Sequence, residues 1–76
     1  MAIIRRLKHH RLERVTTHSE AECTYSVLSD EAGRKYLQLD TYGSRARKIK
    51  DKQSQSIRFS PEAIAQLKTI LAQEFS

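Results

Sequence analysis

The stretch YLQLDTYGSRARKIKDKQSQSIRF, residues 36–59, decides the fold, because it joins two alternating segments through a glycine and a run of cations. Alternation with period two puts Leu37 and Leu39 on one side of the first segment, and Tyr36 and Tyr42 on the other. The second segment, residues 53–59, alternates in the same way. This pattern predicts two strands whose apolar sides face a core and whose polar sides face solvent or a ligand.

The residues on either side of this stretch predict a further strand and a helix. TYSVL, residues 24–28, is short and β-prone, and SDEAG after it has hairpin-turn chemistry with Gly33 free to take a positive φ. Ser60, Pro61 and Glu62 form a strong helix start. Apolar residues at helical spacing then predict a helix over residues 61–75 that packs on the sheet.

The N-terminal part has no clean periodicity, and we predict a basic strand segment within residues 1–16, with its strand at about residues 8–16. The expected fold is therefore α+β: one domain over residues 1–76 with a four-stranded antiparallel sheet, residues 24–59 forming its centre and residues 43–52 a basic loop. The C-terminal helix packs on one face. A chain this short buries only about 60% of its unfolded surface, so we also expect a dimer.

The charge is patterned rather than evenly spread. The formal net charge is +5 and the pI is near 9.7, with one basic cluster in the first segment and another in residues 45–52. Two basic clusters on a small domain are typical of a surface for a polyanion, most often nucleic acid. Alternatively, the two basic clusters form a solvated surface that keeps the protein soluble and binds no ligand.

Several function classes find no support in the sequence. No signal peptide or membrane span is evident, and the single Cys23 fits a reducing cytoplasm. The histidines and Cys23 lack the partners of a metal or catalytic site. We therefore expect no enzyme, no cofactor, no metal and no small-molecule substrate.

SIRFSPEAIAQLK, residues 56–68, resembles the strand-to-helix junction of the transcriptional coactivator family called positive cofactor four, and LQLDTY, residues 37–42, is similar to that family's central strand. The chain also looks like a set of short bacterial proteins, some of which carry a name borrowed from methionyl-tRNA formyltransferase; the sequence offers no basis for that enzymatic name. The coactivator resemblance implies an antiparallel sheet with a C-terminal helix, dimerisation, and sequence-tolerant binding of single-stranded DNA across the sheet.

Such binding needs aromatic rings that stack on bases and cations that follow phosphates. Tyr36 and Tyr42 are the stacking candidates, although tyrosines also serve as ordinary cross-strand packing partners. The full candidate set is Arg34, Lys35, Tyr36, Tyr42, Arg45, Arg47, Lys48, Lys50, Lys52, Ser54, Ser56 and Arg58. Asp40, on the same side as the tyrosines, would repel phosphate unless a cation such as Arg58 pairs with it.

The sequence thus predicts a protein that binds single-stranded nucleic acid, DNA in preference, and acts in transcription, replication or repair. Two alternatives stay open. The basic loop would serve equally in a protein-interaction module or transcription regulator that docks an acidic partner, and RNA has the same backbone chemistry as DNA.

Overall fold

The computed structural model describes residues 1–18, 20–42 and 53–76. In chain order the elements are β1 (Ala2–Ile4), β2 (Cys23–Ser29), β3 (Lys35–Tyr42), β4 (Gln53–Phe59) and α1 (Pro61–Glu74). The strands form one sheet in the order β1-β4-β3-β2. The expected α+β class, with four strands and a C-terminal helix, is confirmed.

The sheet is mixed, so the prediction of an antiparallel sheet was wrong. β2, β3 and β4 pair antiparallel, whereas β1 pairs parallel with β4, with Ala2 aligned to Ile57 and Ile4 to Phe59. Parallel neighbours require a long connection between them. The chain satisfies that requirement because it passes through β2 and β3 before it reaches β4. A hairpin pattern is local, whereas this pairing joins residues 2–4 to residues 57–59, far apart in sequence.

The N-terminal strand was also placed wrongly at residues 8–16. The strand is Ala2–Ile4, where the adjacent isoleucines favour extended backbone, and residues 5–18 and 20–22 have no regular structure. Of these described connecting residues, Leu7 alone is not exposed. Its N–H donates to Gln66 Oε1 at 2.8 Å and its carbonyl accepts from Gln66 Nε2 at 3.2 Å. This two-point contact holds the connection against the helix.

The hairpin between β2 and β3 is organised by Asp30. Its Oδ1 accepts from the backbone N–H of Arg34 at 2.9 Å and of Ala32 at 3.0 Å, and its Oδ2 accepts from the Tyr36 hydroxyl at 3.3 Å. Gly33 takes a φ of 82°, the left-handed conformation that glycine adopts at no steric cost. These bonds fix the register in which Val27 aligns with Leu37.

Ser60 joins β1, β4 and α1 at one fully buried position. Its N–H donates to the carbonyl of Ile4, and its Oγ accepts from the backbone N–H of Ala63 at 3.2 Å as the helix N-cap. Pro61 occupies the first turn, as predicted. The helix ends at Glu74, one residue before the predicted end, with Phe75 as its C-cap.

The helix contacts β3 and β4, the two central strands. Burial of their apolar side, which carries Leu37, Leu39, Ile57 and Phe59, favours this packing. None of these four side chains is fully buried, and Ala63 is the one fully buried apolar residue in the described part of the chain. The core of a single copy is therefore small.

Removing the helix cap should destabilise the protein. We expect Ser60→Ala to lower the free energy of unfolding by about 1 kcal/mol, because the N–H of Ala63 loses its acceptor. Urea unfolding followed by circular dichroism measures the change. Thr69→Ala is the matched control, since it deletes an exposed hydroxyl that bonds only within the helix, to the Ala65 carbonyl. Equal losses in both variants would contradict the capping role.

The Asp30 turn makes stability depend on pH. Hydrogen bonds lower the pKa of the Asp30 carboxyl. The bond from the backbone N–H of Arg34 has the largest effect, and the bonds from the backbone N–H of Ala32 and from the Tyr36 hydroxyl act in the same direction. A lowered pKa contributes stability that is present above the unfolded value of about 3.9 and is lost as pH falls through the folded value. We therefore expect Asp30→Ala to lower the Tm at pH 7, with a difference from the parent that shrinks towards pH 3.

Thermal melts at both pH values test this expectation. Asp30→Asn is the control, since it keeps an acceptor oxygen for the two backbone N–H groups but carries no charge. Its Tm should be less sensitive than that of the parent to acidification through this range. A gap between parent and Asp30→Ala that stays constant down to pH 3 would rule out the ionised carboxylate as the source.

Candidate nucleic-acid interface

The strand register sorts the sheet into two faces. Leu39 aligns with Ile57 and Tyr25 on the apolar face, whereas Gln38 aligns with Arg58 and Ser26 on the other. We call this second surface the polar face. It is formed by Ile3 of β1, Thr24, Ser26 and Leu28 of β2, Tyr36, Gln38, Asp40 and Tyr42 of β3, and Ser56 and Arg58 of β4.

A hydrogen-bonded chain crosses the centre of the polar face. Arg58 donates from Nε and Nη2 to Gln38 Oε1 at 3.0 and 2.6 Å. Gln38 Nε2 in turn donates to both carboxylate oxygens of Asp40 at 3.1 Å. The amide therefore links a cation to an anion, and all three side chains are half-buried. The position of Asp40, which the sequence left open, is explained by this link to Arg58.

Sequence reasoning missed the bridging role of Gln38. The signal was present in the alternation, since Gln38 lies between Tyr36 and Asp40 on one face of β3. What was lacking was the register that places Arg58 directly opposite Gln38. A fork of two donors on one acceptor fixes the guanidinium plane. Arg58 is thus a cation of restricted orientation.

Both predicted stacking residues lie on the polar face. Tyr36 and Tyr42 are half-buried, and each hydroxyl is bonded within the sheet: that of Tyr36 donates to Asp30, and that of Tyr42 shares a 3.2 Å hydrogen bond with Thr24 Oγ1. Six residues of strand separate them by roughly 20 Å. They would therefore contact different nucleotides of a bound strand.

The two cations at the hairpin end do not face this surface. Arg34 donates from Nη2 to Glu62 Oε2 at 2.5 Å, which ties it to the first turn of the helix and raises the pKa of its guanidinium. Lys35 aligns with Ser29 in the register of the apolar face. Period two therefore separates Lys35 from Tyr36, although they are neighbours in sequence.

The two predicted serines have different outcomes. Ser56 lies on the polar face opposite Asp40 but is only 6% exposed, so its hydroxyl is not placed for contact with a phosphate. That Oγ has no hydrogen-bond partner among the described residues. The side chain of Ser54 lies outside the described part of the chain, so its candidate role stays a prediction.

The principal phosphate candidates also lie outside the described residues. They are Arg45, Arg47, Lys48, Lys50 and Lys52. The chain leaves β3 at Tyr42 and enters β4 at Gln53, so this basic segment connects the two central strands. A second set of cations lies in the described N-terminal connection, where all are exposed: Arg5, Arg6, Lys8, Arg11 and Arg14.

Two further features are absent from residues 1–18, 20–42 and 53–76. No group of three or more His, Cys, Asp or Glu side chains there is arranged to hold a metal ion. No helix in the same ranges has the length and apolar character needed to cross a bilayer.

Comparison with known proteins adds no assignment. No protein-family model matches the chain, and neither curated proteins nor solved structures show significant similarity to it. The resemblance to the positive cofactor four family therefore stays a prediction that depends on residues 37–42 and 56–68. The geometry of the polar face is the basis for any functional proposal.

Proposed function

We propose that this protein binds single-stranded nucleic acid, DNA in preference, without strong sequence selectivity, as a cytoplasmic homodimer acting in transcription, replication or repair. The observation that carries the proposal is the polar face, on which two tyrosine rings lie on either side of an oriented arginine. Stacking on aromatic rings tolerates any base, because every base has a π-face.

The charge distribution supports a polyanionic ligand. The net charge is +5, and one basic segment joins the strands that carry Tyr42 and Arg58. Because Asp40 is engaged by Gln38, its charge is linked to that of Arg58 through one amide. The anion on this face is thus part of the network that orients the cation.

The basic segment between β3 and β4 should contribute phosphate contacts. We expect the triple variant Arg45→Ala, Arg47→Ala, Lys48→Ala to weaken binding to all oligonucleotide sequences. Its log–log salt slope should be smaller by about 2, because each phosphate contact on a single strand contributes about 0.7. Fluorescence anisotropy with labelled 20-mers across a salt series measures both quantities.

The matched control removes three cations from the N-terminal connection: Arg5→Ala, Arg6→Ala, Lys8→Ala. It lowers the net charge equally, so a purely global charge effect would shift both variants alike. An identical slope in the two triple variants would argue against a specific role of residues 43–52. Binding that is unchanged in the first variant would remove the segment from the proposed interface.

Tyr42 should act through its ring rather than its hydroxyl. We expect Tyr42→Leu to weaken oligonucleotide binding by about 5- to 150-fold, the equivalent of 1–3 kcal/mol per stacked base. Tyr42→Phe keeps the ring and loses only the bond to Thr24, so it should bind nearly as the parent does. If both variants lose affinity equally, the hydroxyl contact positions the sheet and stacking is not involved.

Competition among single-stranded DNA, single-stranded RNA and duplex DNA at two salt concentrations decides the nucleic acid. Preference for single-stranded DNA supports the proposal. Preference for RNA would change the ligand while keeping the surface. If no nucleic acid binds at about 50 mM salt, where electrostatic binding is strongest, the proposal is wrong and the basic segment serves an acidic protein partner.

A further inference from the structure

β2 is an edge strand whose outer backbone groups have no partner strand in the described part of the chain. Two hydrogen bonds show which groups these are. The N–H of Tyr42 donates to the carbonyl of Glu22, and the N–H of Asp30 donates to the carbonyl of Arg34. In an antiparallel pair, residues alternate in the direction of their backbone groups. Even-numbered residues therefore bond to β3, and the outward groups belong to Cys23, Tyr25, Val27 and Ser29.

This edge lacks the features that normally prevent strands from pairing. Soluble proteins protect edge strands with charges, prolines, bulges or very short strands. β2 has seven residues, CTYSVLS, without a charge or a proline, and its register with β3 is unbroken from Cys23 to Ser29. The opposite edge, β1, has only three residues. The molecule therefore has one protected edge and one open edge.

The side chains on the open edge are also apolar and exposed. Tyr25 is 74% and Val27 62% exposed, and both lie on the apolar face of the sheet. Pairing of β2 with a second strand would cover part of this exposed apolar surface.

We propose that β2 pairs antiparallel with β2 of a second copy, about a two-fold axis through Ser26, to give a continuous eight-stranded sheet. This inference rests on the proposed homodimer and names its interface. The partner is a second copy because the strand is complementary to itself. An uncharged strand on a basic protein also lets two copies approach without opposing cations in the ladder.

The position of the axis follows from the register. Side chains directly opposite each other must lie on the same face, so the axis passes through a residue rather than between two. With the axis at Ser26, Tyr25 lies opposite the partner's Val27, and Cys23 opposite the partner's Ser29. The backbone N–H and carbonyl of all four outward residues then bond to the partner strand, which gives roughly eight backbone hydrogen bonds between the two copies. A shift of the axis by one residue along the strand leaves fewer.

The pairing has consequences for both faces. On the apolar face it sets an aromatic ring against a β-branched side chain on each side of the axis, a favourable cross-strand pair. The ladder ends where Glu22 would lie opposite the partner's Asp30, and the repulsion between these two acidic side chains limits the pairing to residues 23–29. On the polar face, the tyrosines and Arg58 of both copies lie on the same side of one sheet. A single nucleic-acid strand would then have twice the surface available to it.

Ser26 allows a sharp test, because it is the one residue of β2 that would lie opposite itself. It is exposed in the single chain, so a charge there leaves the fold of one copy largely unaffected. We expect Ser26→Glu and Ser26→Lys each to weaken self-association at least about tenfold, because like charges meet at the axis. An equimolar mixture of the two variants should regain the dimer as a heterodimer. Light scattering and sedimentation velocity measure all three samples.

Three outcomes would overturn the proposal: a parent protein that is monomeric at about 100 µM, a Ser26→Glu variant that dimerises as the parent does, or a mixture that stays monomeric. Leu71→Lys with Phe75→Lys is the matched control on the exposed end of the helix. This variant should stay dimeric. If it alone dissociates, the helix is the interface and β2 is not.

A cysteine at the axis gives an independent readout. In a non-bonded antiparallel pair the Cα atoms are about 4.5 Å apart, close enough for a disulfide. Ser26→Cys in a Cys23→Ser background should therefore form a covalent dimer on oxidation. The parent should not, since its two Cys23 residues would lie on the order of 20 Å apart. A parent that crosslinks as efficiently as the variant would exclude this register.

Nucleic-acid binding is measured separately on the parent, because Ser26 lies on the polar face and its variants report on self-association alone. A parent that binds a labelled oligonucleotide but stays monomeric keeps the proposed function and overturns the interface. A parent that dimerises through β2 but binds no nucleic acid overturns the function and keeps the interface.

Discussion

The alternation of side chains along β3 is the constraint on which both surfaces of the molecule depend. With β4 on one side and β2 on the other, β3 lies within the sheet, and each of its residues faces either the helix side or the polar side. A slip of one residue would exchange Leu37 and Leu39 for Gln38 and Asp40 on the apolar side. The cost of burying those polar groups is what holds the register, and the register in turn sets the arrangement of the polar face.

Ser60 connects the sheet to the start of the helix and to β1. It accepts from the first turn of the helix through Oγ and donates to β1 through its N–H. A backbone group in a fully buried position must find a partner, and here the partner is the carbonyl of Ile4, from the opposite end of the sequence. The helix start and the parallel pairing of β1 are therefore held at one point.

The single helix is too small to cover the whole apolar side of the sheet. One 14-residue helix covers two central strands, which leaves the apolar side of β2 exposed beyond it. An open edge and an uncovered apolar side occur on the same strand, so one interface would resolve both. The polar face and that interface share β2, since Ser26 belongs to the polar face and lies on the proposed axis.

Local physical chemistry made much of the fold readable from sequence alone. Period two predicted β3 and the two sides of the sheet, turn residues predicted the hairpin at Gly33, and Ser60 with Pro61 predicted the helix start. Each of these depends on residues within a few positions of one another, where sterics and hydrogen bonding leave few choices. Tyr36, Tyr42 and Arg58 were assigned to one face for the same reason.

Tertiary structure alone decided the remainder. The parallel pairing of β1 with β4 joins residues far apart in sequence. Nothing in the sequence of Ala2–Ile4 specifies whether this strand pairs parallel or antiparallel with its neighbour. Arg34 turned out to bond to Glu62, and Gln38 to bridge Arg58 and Asp40, because long side chains choose among partners that only the fold brings within reach. β2 likewise became an open edge through strand order, which depends on the whole sheet, whereas its uncharged sequence was present from the start.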